Sequence, residues 1–132
     1  MLVPADAATA AIQWLTARQV WPVTGKARTG RHLQVIATGG NPRDDAGAYN
    51  VHQLTITAWG KSPDDDLEPE RAAARALAVL RDAATIGFLG EYPCTAVEVL
   101  SNPYPDPDPI SSRARASFSV RLHLRATHRK EP

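Results

Sequence analysis

The sequence predicts an α+β domain in which two helices pack on one face of a four-stranded antiparallel or mixed sheet. Two segments repeat apolar residues at helical spacing, and four others have the composition or alternation of strands. Their order is helix, strand, strand, helix, strand, strand, and placing both helices on one face buries their apolar stripes economically. At 132 residues the chain has the size of one domain, so we expect a single domain over residues 1–126 and a frayed tail over residues 127–132.

The first helix is predicted to begin at Asp6, whose carboxylate can accept hydrogen bonds from the free N–H groups of a helix start. It runs to about Arg18. Its apolar stripe has helical spacing and consists of Ala8, Ala11, Ile12 and Leu15. A loop over residues 23–31 follows, and its basic residues predict either a solvated loop or a contact surface. These basic residues are Lys26, Arg28 and Arg31.

The first two strands are predicted to form a long hairpin. Residues 33–38 have strand composition, and the run Gly39-Gly40-Asn41-Pro42 marks a sharp turn. After a polar stretch over residues 43–49, residues 51–59 alternate between an apolar and a more polar face. Both strands are therefore expected to lie side by side in the sheet.

The second helix is predicted over residues 69–84, because Pro69 is tolerated in a first helical turn and Glu68 and Glu70 suit a helix N-terminus. A short strand is expected over residues 96–100. Residues 102–109 contain four prolines at alternate positions. Since proline has no N–H group and is excluded from helix interiors and central strands, this segment is predicted to be an extended loop.

The last strand, residues 113–125, has the clearest alternation in the chain. Its apolar face consists of Phe118, Val120, Leu122 and Leu124, and its polar face of Arg113, Arg115, Ser117, Ser119, Arg121, His123 and Arg125. A strict period of two predicts one buried face and one solvated face. Two interpretations of the arginine face stay open: charges that prevent edge-to-edge aggregation, or a surface that contacts a partner.

If the arginine face is a contact surface, its candidate residues are Arg113, Arg115, Arg121 and Arg125, with the basic loop of Lys26, Arg28 and Arg31 as a second candidate. In a ring, one such stripe per subunit repeats around the axis. The repeated stripe would form a basic belt able to meet an acidic partner or passing DNA.

No motif in the sequence predicts catalysis or cofactor binding. The loop at Gly60-Lys61-Ser62 has Thr55 where a phosphate-binding loop needs glycine. The acids at residues 64–66 lack the glycine of a calcium loop and lead directly into a helix. The histidines are dispersed and the cysteine is single. We therefore predict no enzyme, cofactor or metal site, unless the fold gathers Cys94 with a histidine and an aspartate.

Composition narrows the possible environments and partners. The formal net charge is +1, so recognition by charge must be local. The N-terminal residues lack a basic segment, and no apolar run is long enough for a membrane span, so we expect neither secretion nor membrane insertion. The single cysteine excludes a disulfide within the chain and predicts a small buried side chain.

Several local features occur in an order typical of one protein family. They are an amphipathic first helix, a strand closed by Gly39-Gly40, a second strand ending at Trp59, a helix containing the alanine- and arginine-rich run of residues 71–78, and the proline-rich segment 105–113 leading into an alternating strand. This ordered set, which covers nearly the whole chain, resembles the tail terminator proteins of long-tailed, siphovirus-type phages, especially those of actinobacterial hosts.

The resemblance implies a virion protein that assembles in the host cytoplasm into a ring, commonly a hexamer, at the head-proximal end of the tail. Such a ring caps the major tail tube protein, stops tube polymerisation and presents a surface to the head-tail connector protein. Genomic DNA passes through its lumen without sequence-specific binding. The family has no catalytic residues that could be carried over to this chain.

Two alternative functions fit parts of the pattern. Another neck or head-completion connector subunit would share the size and the order of helices and strands. A small nucleic-acid-binding module would need exposed aromatic side chains on its basic strands. Phe118, however, is predicted on the apolar face, opposite the arginines.

Overall fold

The computed structural model describes residues 2–3, 6–18, 21–42, 49–65 and 67–128. Its helices and strands follow in the order β1 (Leu2–Val3), α1 (Ala7–Ala17), β2 (Val23–Thr24), β3 (His32–Pro42), β4 (Tyr49–Trp59), α2 (Glu68–Ile86), β5 (Phe88–Leu89), β6 (Tyr92–Pro105), β7 (Arg115–Arg125) and β8 (Thr127–His128). A short 3-10 turn, Pro63–Asp65, precedes α2. Of the segments predicted from sequence, residues 43–48 of the hairpin connection and residues 129–132 of the tail lie outside the described residues.

The main sheet is six-stranded, mixed and curled like half of a barrel, with the order β2-β3-β4-β7-β6-β5. The prediction of a four-stranded sheet is therefore wrong. The four predicted strands form the centre of the sheet, and β2 and β5 add one short strand at each edge. Strand β3 continues through residues 39–42, which pair with β4, so the prediction of a sharp turn at these residues is wrong. Each added strand has two residues, too few to show the period of two by which strands are read from sequence. A separate two-stranded sheet joins β1 to β8.

Strand β6 is longer than predicted because it continues through part of the proline-rich segment. It includes Pro93, Pro103 and Pro105, and its register against β7 shifts at three places. The prediction of a loop is therefore wrong for residues 102–105. Beyond Pro93, no described strand pairs with the outer side of β6, and an edge strand with bulges tolerates residues that lack an N–H donor.

The helices and the apolar sheet face form one core. The predicted buried face of β7 is confirmed, since Phe118, Val120, Leu122 and Leu124 are fully buried. From the helices, Leu15 and Leu80 are also fully buried in the same cluster. Alanine supplies much of the helix surface that contacts the sheet, and small side chains permit close approach of the two layers. The Trp14 Nε1 group donates to the Val79 carbonyl over 2.9 Å and joins α1 to α2.

Candidate functional site

The arginine face of β7 lies on the side of the sheet opposite the helices, and this face is only partly solvated. Ser117 and His123 are 3% and 7% exposed, so the prediction of a fully solvated face is wrong at these positions. The Ser117 hydroxyl lies 3.1 Å from that of Thr57 and donates to an Asp106 carboxylate oxygen over 3.0 Å. The segment after β6 therefore covers the first part of this face.

Arg113 is half-buried and is held in place by backbone carbonyl groups. Its Nε donates to the carbonyl of Gly60 over 2.9 Å, and its Nη1 and Nη2 donate to those of Arg28 and Gly30 over 2.7 and 2.9 Å. These acceptors lie 53 to 85 residues away along the chain, so no local pattern could have indicated them. Arg113 thus joins the basic loop to the turn after β4.

Trp59 lies beneath two arginines of the predicted assembly surface. The Cζ atoms of Arg113 and Arg115 each lie 4.8 Å from the centre of its ring. The His32 ring stacks on the Trp59 ring with a centre-to-centre distance of 6.0 Å. The Trp59 Nε1 group donates to the Gln34 side-chain carbonyl over 3.0 Å. Trp59 is 8% exposed. Its ring face is therefore occupied by cationic groups of the same chain, a favourable arrangement for a guanidinium.

Arg115 is paired with two aspartates of the segment that follows β6. Its Nε donates to the Asp106 carbonyl over 2.7 Å, and its Nη atoms lie 3.2 and 3.9 Å from carboxylate oxygens of Asp106 and Asp108. The Ser111 hydroxyl and amide donate to Asp108, and these bonds, the hydroxyl first, lower the pKa of that carboxyl. Asp108 therefore holds the turn that precedes Arg113.

His32 anchors the basic loop as a neutral imidazole. Its Nε2 accepts from the Arg28 amide over 3.0 Å, and its Nδ1 donates to the Gly30 carbonyl over 2.9 Å. Burial lowers the pKa of His32, and the charges of Arg113 and Arg28 act in the same direction. Because both ring nitrogens have a backbone partner, His32 shapes the loop and offers no free nitrogen to a ligand.

Arg31 forms an ion pair that sequence analysis did not identify. Its Nε donates to Asp65 over 2.9 Å, and its Nη2 contacts the other carboxylate oxygen. The Lys61 amide also donates to Asp65, over 2.9 Å. The Arg31 guanidinium is the main reason why the pKa of Asp65 falls to about 2. The turn that resembled a phosphate-binding loop therefore closes around a carboxylate of the same chain.

The remaining predicted contact residues lie on the surface. Arg121 and Arg125 are exposed in the second half of β7, and Lys26 and Arg28 are exposed in the basic loop. The structure thus divides the predicted arginine stripe into two halves. The inward half consists of Arg113 and Arg115, which bond to other parts of the chain, and the outward half consists of Arg121 and Arg125. It brings Arg113 to the basic loop but leaves the outward half at the other end of β7. As an assembly surface, all seven residues stay a prediction.

Cys94 has the environment of a buried structural thiol. It is 2% exposed, its Sγ donates to the Ala96 carbonyl over 3.7 Å, and burial raises its pKa. A raised pKa keeps the thiol protonated and weakly nucleophilic. Within the described residues, no three side chains of His, Cys, Asp or Glu lie close enough together to hold a metal ion.

The sheet has an uncovered length at each edge. Strand β2 pairs with only the first part of β3, at Leu33 and Gln34, and β5 pairs with only the first part of β6, at Tyr92 and Pro93. In the part of the chain that the structure describes, no strand pairs with the outer side of residues 35–42 or of residues 95–105. Except at Pro42, Pro103 and Pro105, which have no N–H group, both edges therefore carry backbone groups that can pair with another strand.

Comparison with family models and with curated proteins identifies no relative. No family model matches the chain, and no curated protein matches it either. Among the residues that the structure describes, no helix has the length and apolar character needed to cross a membrane.

Proposed function

We propose that this chain is the ring-forming tail terminator of a long-tailed phage. In this function, copies of the chain close into a ring, in the family commonly a hexamer, at the head-proximal end of the tail. One face of the ring caps the major tail tube protein and stops its polymerisation, and the other face docks the head-tail connector protein. Genomic DNA passes through the lumen during ejection.

The observation that carries this proposal is the pair of uncovered stretches at the two edges of one sheet. A subunit with one such edge can form a dimer, whereas a subunit with two different edges can add copies repeatedly. Residues 35–42 form one of these edges, and residues 95–105 form the other. The order of helices and strands that underlies the family resemblance also supports the proposal.

The outward half of the arginine stripe supports a role next to DNA. Arg121 and Arg125 are exposed, and ring closure would repeat them around the axis. A repeated basic belt attracts the DNA backbone without reading its sequence, and this attraction weakens with salt. The nucleic-acid-binding alternative needs exposed aromatic rings on these strands. It is less well supported, because Phe118 is fully buried and Trp59 is 8% exposed.

The proposal can be tested by polymerising the major tail tube protein of the same phage with and without this chain. We expect the chain to shorten the tubes and to add a ring at one tube end, both visible by negative-stain electron microscopy. A connector subunit, the alternative from the neck, would leave tube growth unchanged and bind the connector ring instead. Unchanged tube lengths and bare tube ends at saturating chain concentration would refute the proposed function.

A further inference from the structure

We propose that copies of this chain associate head to tail, with the outer edge of β6 in one copy pairing antiparallel with the outer edge of β3 in the next. This interface specifies how the subunits of the proposed ring would contact each other. Only the closure of the paired copies into a ring rests on the proposed function. The pairing joins two different surfaces, so by itself it is compatible with a closed ring or an open filament.

The strand directions are those that an antiparallel pairing of the two edges requires. Each neighbouring pair among β3, β4, β7 and β6 is antiparallel. The direction therefore alternates across the four strands, and β6 runs opposite to β3. When a second copy places its β3 beside β6, the alternation continues into the next subunit, as it does in one uninterrupted antiparallel sheet.

The two uncovered edges also lie at the same height in the sheet. Ala37 of β3 is in register with Leu54, Leu54 with Val120, and Val120 with Val99 of β6. Ala37 and Val99 each lie near the middle of an uncovered stretch. The short strands β2 and β5 cover opposite ends of the sheet, because β3 and β6 run in opposite directions. Rotation from one copy to the next thus brings the two uncovered stretches together.

The chain segments that contain the two edges differ in charge. Residues 7–42, which include β2 and β3, contain four basic and no acidic residues: Arg18, Lys26, Arg28 and Arg31. Residues 86–112, which include β5 and β6, contain four acidic residues and no lysine or arginine: Glu91, Glu98, Asp106 and Asp108. A net charge of +1 conceals this separation. Some of these charges have partners within the subunit, since Arg31 is paired with Asp65 and Asp106 with Arg115. The contrast between the two edges therefore rests on Lys26 and Arg28 on one side and on the partly exposed carboxylates of Glu98 and Asp106 on the other. Such a contrast favours contact between unlike edges.

The charged loops also lie at the same end of the sheet. His32 begins β3 and pairs with Trp59, which in turn pairs with Arg115, and the neighbouring residue Ala116 pairs with Pro105 at the end of β6. The basic loop before β3 and the acidic segment after β6 are therefore level with each other. The Asp106 side chain keeps 36% exposure beside Arg115, so its carboxylate is accessible to a neighbouring basic loop.

Apolar side chains along the β6 edge support a protein partner. Val99, Leu100 and Tyr104 are 36%, 39% and 47% exposed, and Ile36 on β3 is 41% exposed. A long uncovered strand with apolar side chains is a surface that monomeric proteins usually avoid. Pairing with a second copy would cover both the backbone groups and part of this apolar surface.

Charge reversal of each edge tests the pairing. The basic-edge variant carries Lys26→Glu and Arg28→Glu, and the loop bonds at these positions use backbone atoms. The acidic-edge variant carries Glu98→Lys and Leu100→Lys. Glu98 also contacts His123, so its replacement can affect folding. If circular dichroism shows that the double variant is unfolded, the single variant Leu100→Lys takes its place. The control is Ala74→Lys, which adds a lysine to the exposed surface of α2.

Sedimentation velocity at up to about 1 mM protein and low salt gives the readout. We expect the wild type and the control to associate, each edge variant alone to stay monomeric, and an equimolar mixture of the two variants to associate again. In the mixture every contact pairs opposite charges. Association of the wild type should weaken at least about tenfold at high salt.

The inference is overturned if the wild type stays monomeric throughout this range, if both variants associate as the wild type does, or if their mixture stays monomeric. Failure of the proposed function looks different. If copies pair by these edges but leave tube growth unchanged, the proposed interface is supported and the proposed function as a tail terminator is refuted. If the edge variants still cap tubes with rings, the proposed function is supported and the proposed interface is refuted.

Discussion

Replacing Asp65 with asparagine tests whether the ion pair with Arg31 stabilises the turn between β4 and α2. The side chain of Asp65 is 3% exposed and that of Arg31 is 40% exposed. The pKa of Asp65 is about 2, against an ordinary value of 3.8. At about 1.4 kcal/mol per pKa unit, this difference corresponds to at most roughly 2.5 kcal/mol. Because solvent screens the exposed part of Arg31, we expect Asp65→Asn to lower the free energy of unfolding by about 1–2 kcal/mol at pH 7.

The pH dependence of this loss follows from the direction of the shift. The pKa of Asp65 is lower in the folded protein than in the unfolded chain, so its contribution is complete above pH 3.8 and is lost as the pH falls towards about 2. The difference in stability between wild type and Asp65→Asn should therefore be constant from pH 7 to about 5 and shrink below pH 4. Histidine protonation affects both proteins equally and cancels in the difference.

Urea unfolding followed by tryptophan fluorescence at several pH values measures the difference directly. Asp64→Asn is the matched control, because it makes the same chemical change at the exposed neighbouring position. We expect it to change the free energy of unfolding by less than about 0.5 kcal/mol. A loss for Asp65→Asn that is equal at pH 7 and pH 2.5 would refute the ion-pair explanation, since a purely steric effect does not titrate.

Three further predictions follow from other contacts. Gly60→Ala should lower the free energy of unfolding by about 1–3 kcal/mol, because an added Cβ would lie 2.9 Å from the Ala114 carbonyl oxygen; an unchanged urea midpoint would contradict this close approach. Trp14→Phe should cost about 1–2 kcal/mol in thermal or urea unfolding, because it removes the hydrogen bond to the Val79 carbonyl; a loss below about 0.3 kcal/mol would show that this bond contributes little. Cys94 should react with a thiol reagent roughly a hundredfold more slowly in the folded protein than in urea, since it is 2% exposed and burial raises its pKa; equal rates would show that the strand opens readily.

The regular elements could be predicted because their signals lie in consecutive residues. The period of two in β7 identified Phe118 and Val120 as core, and both are fully buried. Strand β6 shows where the local signal misled: proline excludes a central strand, but an edge strand with one uncovered side accommodates it. The position of a strand within the sheet depends on all the other strands. For this reason, residues 102–105 could not be assigned from their own composition.

The arginine stripe shows the same division at the candidate site. Sequence alternation placed Arg115 on the face opposite the core, whereas Arg113, predicted to be part of the same strand, precedes it. The alternation also could not show that both arginines lie over Trp59. It also could not show that Arg113 donates to carbonyls 53 and more residues away. Such partners are determined by chain folding. The family resemblance rests on the sequence alone, whereas the proposed ring function rests also on the uncovered edges of the sheet.

The sequence by itself indicated the two helices, the middle parts of the four central strands and the apolar face of the last strand, because hydrophobic periodicity is a property of neighbouring residues. The tertiary structure alone decided the two short edge strands, the inward half of the arginine stripe and the pairing of Asp65 with Arg31. It also decided that the basic and acidic stretches lie at opposite edges of one sheet. Each of these features depends on strand order and on contacts between distant residues, and a local pattern contains neither.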